Sequence, residues 1–217
     1  LFSSMVNAMS LKVGPSSLVT NMFTSGWFWM GCLILFPLIT MRLFAEESKM
    51  GTMEGLLTAP VRTSEIVFAK YFAAVLVYIT MVLPVFLFFP VFERITGDQA
   101  AFHSGAFFGS GLGILLIGLF SVAIGTLASA LTSNQLIAAM VTFVSVMLHY
   151  LLGFVNAFAT VPNSTWRSAL EYFSSTEHMR WFCEGLIDSR PIIYYLSFSA
   201  LLLAITHYII ESRKWRA

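Results

Sequence analysis

Glu46-Glu47-Ser48-Lys49-Met50-Gly51-Thr52-Met53-Glu54-Gly55-Leu56-Leu57-Thr58-Ala59-Pro60-Val61-Arg62-Thr63-Ser64-Glu65 is a charged connector set between two long apolar runs. On its N-terminal side, 29 residues between Lys12 and Arg42 carry no Asp, Glu, Lys or Arg. On its C-terminal side, 22 residues between Lys70 and Glu93 are likewise uncharged. A transmembrane helix needs about 20 largely apolar residues to cross roughly 30 Å of hydrocarbon. Each flanking run is therefore long enough to be a span, and the connector is the link between them at one membrane face.

Composition leads to the same class. Of 217 residues, 58% are hydrophobic and 11% charged, against about 25% charged in a soluble domain. Mean hydropathy is +0.81, which leaves too little polar surface to solvate a globular protein of this length. The 12 Lys and Arg against 11 Asp and Glu leave a net charge of +1. That is no basic field for nucleic acid. Cys32 and Cys183 are far apart and in no ligand spacing, so they read as packing residues, and no metal site is expected. The chain opens at Leu1 without the basic segment and cleavage site of a signal peptide.

Charge placement divides the chain into five spans. The first, about 22–44, carries Trp27 and Trp29 near its start, as an interface belt would. The second, about 65–92, contains Pro84 and Pro90, so a kink is expected. The 68 uncharged residues from Gln99 to Trp166 hold two more, about 104–131 and 135–155, separated by Thr132-Ser133-Asn134-Gln135. The fifth, about 191–210, opens at Pro191 and closes at a charged tail. Arg42, Lys49, Arg62, Lys70, Arg213, Lys214 and Arg216 share one face, which the positive-inside rule makes cytoplasmic. The N-terminus then lies outside, and a sixth span is expected upstream of Leu1.

Within the connector, Thr52 is placed to cap a helix over about 52–59, with Glu54 in its first turn, where the helix dipole favours an anion. Met53, Leu56 and Leu57 form an i, i+3, i+4 apolar stripe, and Pro60 stops the helix. A helix lying on the membrane surface fits this pattern as well as one that docks onto a partner. Across the membrane, the segment from about 163 to 187 is too polar to span. Its Trp166, Leu170, Phe173, Trp181, Phe182 and Leu186 recur with helical period, predicting one or two interfacial helices.

Other features carry less. Gly105, Gly109 and Gly113 form a small-xxx-small stripe suited to close helix packing, within the chain or at a dimer seam. His149 with Tyr150 is a polar pair inside a span, a substrate contact or proton relay on one reading and a hydrogen bond to a neighbouring helix on the other. No G-x-x-x-x-G-K-[ST] cradle for nucleotide phosphates occurs, and no HExxH or GxSxG. No catalytic residue is expected in this chain.

Glu46-Glu47 at a span end, followed by Gly51-Thr52-Met53-Glu54-Gly55-Leu56-Leu57-Thr58-Ala59-Pro60-Val61, resembles the type-2 ABC exporter permeases. The likeness is closest to the gliding-motility permease subgroup, through Leu38-Ile39-Thr40-Met41-Arg42-Leu43-Phe44-Ala45-Glu46-Glu47 and, later, Tyr172-Phe173-Ser174-Ser175-Thr176-Glu177-His178-Met179, Gly185 to Arg190 and Ile192 to Tyr195. It departs at Gly55, where a bulkier residue is common. The resemblance implies an all-α membrane domain with five spans present of six, and a coupling helix in which Glu46, Glu47, Gly51, Thr52, Met53, Glu54, Leu56, Leu57 and Pro60 meet a separate ATPase subunit. It implies outer interfacial helices capping the translocation path before the last span. It also implies ATP and Mg held by the partner, a second permease subunit in a homodimer or heterodimer, and residence in a bacterial inner membrane. Against the exporter stands a non-transporting anchor or assembly subunit, or an ion-driven carrier using His149.

Overall fold

The computed structural model describes residues 17–58, 60–96, 104–158 and 172–214, and among these it is helical throughout, with no strand. In chain order the helices are α1 (Ser17–Phe23), α2 (Gly26–Thr40), α3 (Ala45–Met50), α4 (Thr52–Thr58), α5 (Thr63–Thr96), α6 (Ser104–Leu131), α7 (Gln135–Phe158), α8 (Ser175–Cys183) and α9 (Ser189–Lys214). Five stretches are long and apolar enough to cross a membrane: Gly26–Met50, Thr63–Val91, Gly105–Leu131, Gln135–Leu152 and Ser189–Lys214. The chain is an all-α, multi-pass membrane domain.

Local chemistry sets the breaks. Thr24 and Ser25 interrupt the first apolar run, because the Ser25 hydroxyl accepts from the Phe28 N–H at 3.3 Å and so starts α2 afresh. The two tryptophans divide there. Trp27 is 87% exposed, as an interface residue would be, whereas Trp29 is buried with its ring at 4.5 Å from that of Tyr150. Between α6 and α7, Asn134 caps by accepting the Leu136 N–H at 2.9 Å, while its own N–H donates to Thr132 Oγ1 at 3.1 Å. Helix α5 runs on through Pro84 and Pro90 to Thr96, about 50 Å at 1.5 Å per residue, longer than the hydrocarbon is thick.

Helix α6 is the axis of the bundle. Its most apolar stretch is 72% buried, where the other four spans reach 22–44%. It packs against α1, α2, α3, α5, α7, α8 and α9. Small side chains permit this, since buried Ala106, Ser110, Ala123, Thr126, Ala128 and Ser129 keep its surface low. Gly118 lies against the Tyr78 ring and Gly125 against Thr40, each too close to admit a Cβ. Tyr78 and Tyr71 of α5 then donate to the α6 carbonyls of Ile114, at 2.9 Å, and Leu119, at 3.0 Å. Large apolar residues of α5, among them Phe68, Phe72, Leu76 and Leu87, point outward, where lipid rather than water receives them.

Of the expected features, Ala59 and residues 163–171, with Trp166 and Leu170, lie outside the described residues, as does the side chain of Leu57. The described part of the outer segment forms α8, capped by Ser174, whose hydroxyl accepts the Glu177 N–H at 3.2 Å.

Candidate functional site

The connector between α2 and α5 is two short helices joined at an elbow. Gly51 sits between α3 and α4 at φ 71°, a left-handed conformation in which its N–H closes onto the Glu47 carbonyl. Nothing lies within 4 Å of where its Cβ would be, so the backbone angle alone calls for glycine there. In α4, Met53 is buried and Leu56 half-buried, while Thr52, Glu54 and Gly55 are exposed, as is Pro60 beyond the helix.

Helix α3 is fastened to three other spans. Its N-cap position, Phe44, offers no side-chain cap. The missing acceptor comes from α6, where Ser129 Oγ takes the N–H groups of Phe44 at 3.0 Å and Ala45 at 3.1 Å and donates to the Met41 carbonyl at 3.3 Å. From α5, Lys70 Nζ donates to the Leu43 carbonyl and to Glu47 Oε1, both at 2.6 Å, and lies 5.1 Å over the Phe44 ring. From α9, Arg213 donates to Ser48 Oγ at 3.1 Å and to the Ala130 carbonyl at 2.6 Å, binding the C-terminal end of α6, where the helix dipole favours a cation. Arg42 holds Glu46 by two bonds of 2.6 Å, one helical turn on. Both carboxylates that close the first span, Glu46 and Glu47, are thus paired with cations.

Sequence reasoning identified the connector but not its fasteners. Lys70 and Arg213 entered only as charges that bound apolar runs and set the cytoplasmic face, and Ser129 did not enter at all. Their partners lie 23, 165 and 85 residues away, beyond any local pattern.

At the opposite end, α8 lies across the start of α6. A Cβ at Gly109 would collide with the backbone carbonyl of Phe182, and one at Gly113 would stand 2.9 Å from the Phe182 ring. Gly185, at φ 78°, passes 3.3 Å from the Gly105 backbone by the same measure. The glycine stripe receives a helix of its own chain. His149 Nε2 meets Ser175 Oγ at 2.5 Å, Tyr195 donates to Ser175 Oγ at 3.1 Å, and His178 Nδ1 lies 3.1 Å from the Tyr195 hydroxyl. The Tyr195 and Ser175 hydroxyls thus link His178 Nδ1 and His149 Nε2 in one chain of bonds. Tyr150 is buried and turns toward Trp29 rather than into this chain of bonds. Burial pushes the His178 imidazole down to about 4, with the Asp188 charge and the bond the ring donates to the Tyr172 backbone opposing the shift. Among the described residues no group of His, Cys, Asp and Glu is arranged to hold a metal ion.

One end offers an exposed helix on a fastened elbow, the other a helical cap on the same axial span. The family model for ABC-2 family transporter proteins matches residues 3–210. No curated protein and no solved structure matches the chain.

Proposed function

Because the chain belongs to the ABC-2 family of transporter proteins, we propose that it is the permease subunit of an ATP-driven exporter. A separate ATPase subunit grips α4 and, through it, moves the spans between inward-open and outward-open states. The observation that carries this reading is the fastening of α3 to α5, α6 and α9 by Lys70, Ser129 and Arg213. The elbow on which α4 packs is thereby tied to three other spans, which supports a role in passing force from α4 to them. Exposed Thr52, Glu54, Gly55 and Pro60 form the contact, with Leu57 beside them. We place ATP and Mg on the partner, in keeping with a sequence that carries no phosphate cradle.

The permease works as a pair of such subunits, identical or different, in a bacterial inner membrane, with the connector on the cytoplasmic side. The stretches 38–47 and 172–195 support a place beside the gliding-motility permeases. An ion-driven carrier is less well supported, because it needs a titratable group open to a pathway and His149 is engaged by Ser175.

The test is capture of an ABC ATPase from detergent-solubilised native membranes by the intact protein. Glu54→Lys and Leu57→Gln should each lower that capture about tenfold, the equivalent of 1.4 kcal/mol, with helix content unchanged. Equal capture by the variants, or no ATPase on the unaltered chain, rejects the assignment.

A further inference from the structure

A cavity of about 430 Å³ opens beside the elbow, lined by Arg42, Glu46, Glu47, Thr52 and Lys70, with Met50 at its edge. Next to it a groove of about 500 Å³ runs between α2 and α5, lined by Gly31, Ile34, Leu35, Leu38, Val77 and Met81. Ile39 borders both, so the polar cavity and the apolar groove adjoin at that residue. From Ile39 back to Gly31 is eight residues, about 12 Å along a helix, close to the roughly 15 Å hydrocarbon depth of one leaflet. A polar chamber at a span end, adjoining an apolar groove about one leaflet deep, matches the parts of a lipid: headgroup above, acyl chain below.

The charges narrow the headgroup. Two cations and two carboxylates make the chamber neutral, so an anionic headgroup gains no net attraction there. Glu47 gives Oε1 to Lys70, but its Oε2 is sheltered from water and has no partner among the described residues. A sheltered acceptor calls for a donor. Arg42 commits Nε and Nη2 to Glu46 and is 61% exposed, which leaves Nη1 for a phosphate oxygen. We propose that the chamber and groove together hold one phospholipid with a primary-ammonium, zwitterionic headgroup: its ammonium on Glu47, its phosphate on Arg42, and one acyl chain between α2 and α5. A trimethylated headgroup has no N–H to offer, and a glycerol headgroup carries net negative charge.

The proposal does not rest on the transport reading, and its test needs no ATPase. The intact protein in mild detergent is offered an equimolar mixture of phosphatidylethanolamine, phosphatidylcholine and phosphatidylglycerol with the same acyl chains, and retained lipid is counted by native mass spectrometry. One phosphatidylethanolamine should stay bound about tenfold over either competitor. Glu47→Gln should bring that preference to within about twofold. Gly31→Phe places a ring in the groove where a Cβ meets nothing within 4 Å, so it should cut retention of all three lipids without unseating a helix. Equal retention of the three, a preference for phosphatidylglycerol, or undiminished phosphatidylethanolamine on Gly31→Phe would each overturn the proposal. Such a failure leaves the capture experiment on Glu54 and Leu57 unaffected.

Discussion

Replacing Ser129 by Ala removes a single hydroxyl from α6 and should loosen α3, whose helix it caps from 85 residues away. Two N–H groups, of Phe44 and Ala45, lose their shared acceptor, and the Met41 carbonyl loses a donor. Since one oxygen serves both N–H groups, the cap counts once, about 1–2 kcal/mol. The Met41 carbonyl adds about 1 kcal/mol. The total of about 2–3 kcal/mol corresponds to a shift of about 30- to 150-fold in the equilibrium between the fastened and the loosened elbow. Amide hydrogen exchange of the intact protein, read by mass spectrometry, reports that equilibrium directly. Exchange at residues 44–50 should rise by that factor while the middle of α6, around Val122, stays protected. Unchanged exchange at 44–50 would refute the cap. Equal acceleration along α6 would refute it too, since Ser129 would then be acting as core packing rather than as a fastener of α3.

Gly109→Ala, which drives a methyl into the Phe182 carbonyl, should destabilise the seat of α8 by about 1–3 kcal/mol, whereas Gly55→Ala, into open space within a helix, should stabilise α4 by about 0.5–1 kcal/mol; denaturation of both variants in detergent checks the opposite signs. His178 stays neutral in the fold down to about 4, while the unfolded imidazole takes its proton near 6.5, so the unfolded state binds more protons between these values. The stability of α8 on its seat is therefore full above pH 6.5, declines as pH falls toward 4 by at most about 3 kcal/mol, and levels off below; proteolysis of α8 against pH should follow that profile, and His178→Asn should flatten it.

The spans were legible because their signal is crude and local: charge-free runs of sufficient length, punctuated by Thr132, Ser133 and Asn134 where the chain must turn. Smaller breaks were not. The interruption at Thr24 and Ser25 depends on one serine hydroxyl inside an apolar run, which hydropathy averages away. Likewise Ala45–Met50 becomes a helix of its own only because Ser129 arrives to cap it and Gly51 turns left-handed to end it. The glycines at 105, 109 and 113 stand out by their spacing of four. Gly118 and Gly125 do not share that spacing, yet they admit Tyr78 and Thr40 just as closely. Spacing reveals a stripe facing one neighbour, whereas an axial helix meets several neighbours at different angles.

That axial placement bears on how the two ends could act on one another. Ser129 and Gly109 lie on the same helix, 20 residues and about 30 Å apart, and no proline interrupts α6 between them. A helix packed with small residues on nearly every side has little freedom to bend and none to slide without unseating Tyr78, Thr40 and Phe182 together. A displacement of α3 thus reaches α6 through Ser129 and through the Arg213 bond at Ala130, and α6 can answer only as a rigid body. The outer helix α8, seated on Gly109 and Gly113, has to follow. Its tie to α7 and α9 through His149, Ser175 and Tyr195 then opposes the movement. Helix α8 is thus held from two sides, by its seat on Gly109 and Gly113 of α6 and by the bonds of Ser175 to His149 of α7 and Tyr195 of α9.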